Sequence, residues 1–189
     1  EVTNIDEKWI REVDKNISPT RKGISPGNFR VIPRARRFAG GQLNCSTDIQ
    51  NDMDKLLAFI NSNDFEKYYL VNTLVAQLAF IAISPFRFDN RLSSMVLSDK
   101  LIQKYSGLPI FSETVVFRFP AIYSQLDAAA KKFYKTGDVT DFIKVQFTIM
   151  EMEVEANGRF LDKVEKDIRK IYSQLKKTKI KDKYFPQLI

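Results

Sequence analysis

The chain has 189 residues, a net charge of +7, 44% hydrophobic and 28% charged residues, the balance of one folded domain rather than of a disordered segment. It holds no histidine and one cysteine, Cys45, which excludes a Ser-His-Asp triad, a Cys-His pair, a His-ligated metal and an intrachain disulfide. Carboxylate-bound magnesium stays open, and the positive charge favours anionic partners: a nucleotide, nucleic acid or an acidic protein.

The first predicted element is a helix from Ile5 to about Ile17, with Trp9, Ile10 and Val13 on one face and Ser18-Pro19 as its stop. Gly23 and Pro26-Gly27-Asn28 mark turns. Residues Phe29 to Phe38 have β-capable side chains but contain Pro33 and several arginines, which suits an irregular hairpin or edge strand, with a turn at Gly40-Gly41. Thr47 or Asp48 is placed to cap a helix starting near Ile49, carried by Met53, Leu56, Leu57 and Ile60; Asn61 to Asp64 reads as a break. Leu70 to Ile83 is apolar on several faces, as in a helix buried on most sides. Asn72, Thr73 and Gln77 interrupt it and Pro85 follows, so it is too short and too polar to span a bilayer, and a cytoplasmic protein is expected.

A helix from Arg91 to Tyr105 is predicted next, with Leu92, Met95, Val96, Ile102 and Tyr105 as its apolar face and Gly107-Leu108-Pro109 closing it. Another opens at Phe119 or Pro120 and uses Ile122, Tyr123, Leu126 and Phe133. Gly137-Asp138 turns the chain into a helix over Val139 to Val154, with Thr140 as a cap. Beyond Gly158, Phe160, Val164, Ile168, Ile171 and Leu175 continue a long helix whose lysines, Lys166 to Lys183, form a solvated face. The fold class expected is all-α with a small extended flap near residues 29–45, in a single domain over residues 1–189 with 158–189 as a C-terminal helical extension.

The segment Ser84-Pro85-Phe86-Arg87-Phe88-Asp89-Asn90-Arg91, between two apolar helices, resembles the signature loop of the Fic family, HPFxDGNGRxxR. Pro26-Gly27-Asn28-Phe29-Arg30 is similar to the family's PGxxR segment. Gly40-Gly41, the Ile49–Asn61 stretch, Leu101 to Pro109, and Tyr123, Leu126, Gly137, Asp138, Asp141 and Phe142 follow in the family's order. The resemblance covers roughly residues 20–150. It implies a Fic-like helical bundle with a β-hairpin flap. It also implies transfer of part of a nucleotide, commonly AMP from ATP with Mg²⁺, to a hydroxyl of a target protein.

Carried over position by position, the resemblance puts Ser84 at the place of the motif histidine, the base. Pro85, Phe86 and Asn90 match. Without a gap, Phe88 falls on the metal-binding acid, and Asp89 and Arg91 fall on the two glycines. With Phe88 as an insertion, Asp89 becomes the acid and Arg91 the first arginine. Phosphate contact is thereby assigned to Phe86, Asn90 and Arg91, metal to Asp89, and target docking to the flap residues Phe29, Arg30, Val31 and Ile32. From the residues themselves, Asp89 suits an N-cap better than a metal ligand and Phe86 a packing role better than a ligand contact, while Arg30, Arg34, Arg36 and Arg37 form a basic flap facing either solvent or an anion. A serine hydroxyl does not accept a proton near neutral pH, and Asp and Arg in place of glycine bring bulk where a phosphate would approach the backbone. The expected function is that of a Fic-like module without transferase activity that binds a protein partner or retains weak anion binding. The alternatives are a transferase using a base such as Asp89, and a basic nucleic-acid-associated protein.

Overall fold

The computed structural model describes residues 4–18, 25–32, 35–38, 41–107 and 119–177. Gly23, Pro33, Arg34, Gly40, Leu108-Pro109 and the lysines from Lys179 to Lys183 lie outside the described residues.

Helix α1 spans Glu7–Ile17 and is capped by Asp6, whose carboxylate accepts the Trp9 N–H. Strands β1 (Ala35–Phe38) and β2 (Gly41–Asn44) pair antiparallel, with Ala35 opposite Asn44 and Phe38 opposite Gly41. Helix α2, Ile49–Ile60, starts at the predicted cap Asp48, which accepts the Asn51 N–H, and buries Met53, Leu56 and Ile60. The predicted break at Asn61–Asp64 is narrower than expected: a five-residue helix α3, Asn63–Lys67, begins inside it and buries Phe65.

Helix α4, Tyr69–Ile83, is buried on most sides through Thr73, Leu74, Ala76, Gln77, Leu78, Phe80 and Ile83. Helix α5, Asn90–Ser106, packs on α4 and α1. Its buried face corrects the expectation. Met95 and Ile102 are buried as expected, but Leu92 and Val96 are exposed, whereas Ser93, Ser94, Leu97, Ser98 and Leu101 are buried. Serines suit a tight helix contact, since they are small and the hydroxyl has local acceptors: Ser94 donates to the Arg91 carbonyl and Ser98 to the Ser94 carbonyl. The main core joins Ile5 and Ile10, Met53 and Ile60, Phe65, Phe80, Phe86, Leu97 and Leu101.

Helix α6 spans Pro120–Thr136, with proline in the first turn where the missing N–H costs nothing. Helix α7 is continuous from Thr140 to Lys177, 38 residues, where the sequence suggested two helices meeting near Gly158. One helical glycine costs only about 1 kcal/mol relative to alanine, too little to interrupt a helix favoured on both sides. Thr140 is the first helical residue, and the capping acceptor is Asp138, whose carboxylate takes the Thr140 N–H. The chain divides into two compact units, Glu1–Met150 and Glu151–Ile189. Among the described residues no helix is long and apolar enough to cross a membrane.

Candidate functional site

The segment joining α4 to α5 begins at Ser84. A residue before proline is disfavoured in the right-handed helical region, so the helix must end there. Ser84 leaves it through the left-handed region, φ 48° and ψ 61°. For a non-glycine residue this costs about 1–2 kcal/mol. The cost is offset locally. The Ser84 N–H donates to the Phe80 carbonyl at 2.8 Å, and its hydroxyl donates to the Ile81 carbonyl at 2.6 Å. The residue is 1% exposed.

The exit is clamped from outside by Arg30. Its Nε donates to the Ser84 carbonyl at 2.7 Å, and Nη2 donates to the carbonyls of Ile83 at 3.1 Å and Ser46 at 2.6 Å. Nη1 donates to the Ile32 carbonyl at 2.9 Å, and the Arg30 N–H donates to the Pro85 carbonyl at 2.8 Å. Helix α4 has no basic residue in its own last turn. Arg30 supplies the cation that the negative end of the helix dipole favours, and it satisfies carbonyls that a helix end leaves without partners. Arg30 was expected on a flap surface; it is buried and structural. Phe29 also turns inward, 5.6 Å from the Phe86 ring, with the Arg11 guanidinium 3.8 Å over its other side. Val31 and Ile32 turn outward and are 95% and 65% exposed.

Phe86 is 1% exposed and belongs to the core, against Phe80 as well as Phe29. Its side chain thus packs in the core, as the residues themselves suggested. Asn90 is buried and closes the loop on itself: its Oδ1 accepts the Phe86 N–H and its Nδ2 donates to the Phe86 carbonyl, both at 2.8 Å. Asp89 precedes α5 in a left-handed conformation, φ 53° and ψ 18°, yet its side chain makes no capping hydrogen bond. It accepts instead from the Ser18 hydroxyl at 3.1 Å. That hydroxyl also lies 3.2 Å from the Asp14 carboxylate, so its single proton serves one acid at a time.

Asp14 is the group that sequence reasoning missed. It is buried, and its other oxygen accepts the Gly27 N–H at 2.7 Å. Burial pushes its carboxyl above the ordinary carboxylate range; the hydrogen bonds from Gly27 and Ser18 oppose this, and the Asp89 charge adds to it. The signal was present in α1, where Asp14 follows Ile10 by four residues on the buried face. Among the described residues, no three Asp, Glu or Cys side chains converge as a metal site would need.

Arg91 lies beside Tyr123, guanidinium carbon 5.0 Å from the ring centre. Both line a small cleft of about 50 Å³ with Ile81, Leu126, Asp127 and Gln146. A wider groove of about 480 Å³ is lined by Arg11, Phe29, Arg30, Val31, Asp48 and Ile49. Of the site residues named from the sequence, the structure brings Phe29, Arg30, Ser84, Phe86 and Asn90 together and turns the others elsewhere. Ser84, Phe86 and Asn90 are interior, Asp89 faces Ser18, Arg91 faces Tyr123, and Val31 and Ile32 stand in solvent.

The sequence matches no protein-family model and no curated protein. The structure is similar to that of a Fic domain-containing signaling protein from Bacteroides thetaiotaomicron, with a TM-score of 0.59 and 17% identity. The match covers 77% of this chain and 58% of that one, so the chain spans a little over half the length of its structural neighbour. The fold is therefore Fic-like and mostly helical.

Proposed function

We propose that this protein is a Fic-like module without nucleotidyl-transfer activity that binds a protein partner beside its α4–α5 loop. The observation that carries the reading is the position of the Ser84 hydroxyl, at the place where the resemblance puts the base. It donates to the Ile81 carbonyl and is out of reach of a bound target. A hydroxyl so engaged neither takes a proton nor offers one to a substrate. The positive φ at Asp89 supports the gapless register, which sets Asp89 on the first glycine of the motif and leaves Phe88 in place of the acid.

A magnesium-bound nucleotide fits this loop poorly. Both polar ends of the Asn90 amide are engaged with Phe86, and the Asp89 carboxylate stands at the start of α5, where it repels phosphate. A partner has better purchase on the exposed Val31 and Ile32 and the adjoining groove. There Arg11 and Asp48 offer one charge of each sign, and Phe29 and Ile49 offer apolar surface.

The test is transfer from labelled ATP with Mg²⁺ and a cell extract, run on three chains: the parent, Ser84→His, and a chain whose loop is rebuilt as His-Pro-Phe-Arg-Asp-Gly-Asn-Gly-Arg. Absence of a general base alone costs about 10²–10⁴-fold. We expect no labelling by the parent or by the single substitution. Robust labelling by the parent, abolished by Asp89→Asn, would establish the transferase alternative with Asp89 as its base.

A further inference from the structure

We infer that the outer part of α7 is one strand of a coiled coil completed by a basic partner helix. From Val154 onward the apolar residues of this helix recur at seven-residue spacing. Val154, Leu161 and Ile168 form one row, continued in sequence by Leu175. Asn157, Val164 and Ile171 form the second, three residues on from the first. These are the a and d positions of a heptad, the pattern that seats one helix on another through interlocking side chains. The seam is uncovered in the structure: Val154, Leu161, Ile168 and Ile171 are each more than half exposed, at 56%, 64%, 53% and 54%. Phe160 and Tyr172 widen it and are exposed too. An apolar stripe of this length is what a soluble helix avoids unless something covers it.

The charges identify the kind of helix that covers it. The positions flanking the seam carry Glu151, Glu165 and Asp167, with no lysine or arginine among them. Every basic residue of 151–174 lies on the side away from the seam: Arg159, Lys163, Lys166, Arg169 and Lys170. The chain as a whole is basic, so a seam whose only charged flanking residues are acids is a local arrangement rather than a reflection of composition. Flanking charges set partner choice in coiled coils. A second copy of this helix offers no cation to any of these carboxylates in either orientation. In the parallel register it sets Glu165 against Phe160 of the copy and Asp167 against Tyr172, which desolvates the acids without pairing them. Glu165 does reach Arg169 within its own helix, but both are well exposed and such a pair exchanges readily with a better-placed cation. The complementary occupant is therefore a helix with its own apolar a and d rows, lysine or arginine at the flanks, and a polar residue opposite Asn157 to fix the register.

Two synthetic 28-residue peptides test this on the full 189-residue chain. Both have four heptads with Ile at a, Leu at d and one Asn at d; one carries Lys at every e and g position, the other Glu. Fluorescence anisotropy should show the Lys peptide binding at least about tenfold more tightly than the Glu peptide at low salt, with the gap closing as ionic strength rises. Leu161→Glu combined with Ile168→Glu should remove binding of the Lys peptide. Glu165→Lys combined with Asp167→Lys should invert the preference between the peptides, which a purely structural role for these acids would not do. Three results would overturn the inference: equal binding of the two peptides or none of either, sedimentation of the free chain as a dimer through the Leu161–Ile168 seam, or peptide binding only after residues 178–189 are removed.

Discussion

Replacing Arg30 by methionine keeps most of the aliphatic stem and removes the guanidinium. The carbonyls of Ile83, Ser84 and Ser46 then lose their donor, at a residue that is 9% exposed. Leaving one buried acceptor without a partner costs about 1–3 kcal/mol. Three adjacent carbonyls share relaxation and some water entry, so the expected loss is about 3–5 kcal/mol rather than the full sum. For a unit of roughly this size each kcal/mol shifts Tm by about 2–4 °C, giving a fall on the order of 10 °C. Arg30→Lys keeps the charge at the C-terminal end of α4 but reaches fewer carbonyls, and should recover part of the loss. Urea and thermal unfolding followed by circular dichroism at 222 nm measure all three chains. A methionine variant within about 1 kcal/mol of the parent would refute the clamp, and so would a lysine variant no better than methionine.

Further outcomes follow from single positions. Gly27 has φ +79°, and an added Cβ would lie 2.7 Å from Lys15 Cγ and 2.9 Å from the Arg11 carbonyl oxygen, so Gly27→Ala should cost about 2–3 kcal/mol in urea unfolding. Gly158 has no neighbour within 4 Å of an added Cβ, and Gly158→Ala should stabilise α7 by about 0.5–1 kcal/mol, read as a higher Tm and more helical signal. The Asp14 carboxyl should titrate above its ordinary value of 3.8 when followed by carbon NMR. The folded chain holds that proton more tightly than the unfolded chain does. The stability it contributes is full below 3.8 and is lost as pH rises through the folded pKa, and Asp14→Asn should remove this part of the pH dependence.

The helices were legible because their signals are local. Asp48 stands before an apolar row at helical spacing, and Leu70 to Ile83 is a mostly apolar stretch ended by Ser84-Pro85; the structure places α2 and α4 there. The order of these elements around one loop carried the likeness to the Fic fold. What failed locally was the face of α5. Hydrophobicity alone favoured Leu92 and Val96, while the neighbours of α5 are close enough to select Ser93, Ser94 and Ser98.

The sequence by itself determined that no histidine chemistry is available and that Ser84 stands at the end of a buried helix. Only the tertiary structure decided what the polar groups around that end do. Arg30 is separated from Ser84 by 54 positions and Ser18 from Asp89 by 71, so no periodicity or spacing joins them. A guanidinium on an arginine-rich segment reads as surface until the carbonyls that surround it are known. An acid on an amphipathic helix reads as solvated until its burial is known. Burial and partner choice are properties of the packed chain, and they divided this segment into an inner half that clamps the loop, Phe29 and Arg30, and an outer half that stands in solvent, Val31 and Ile32.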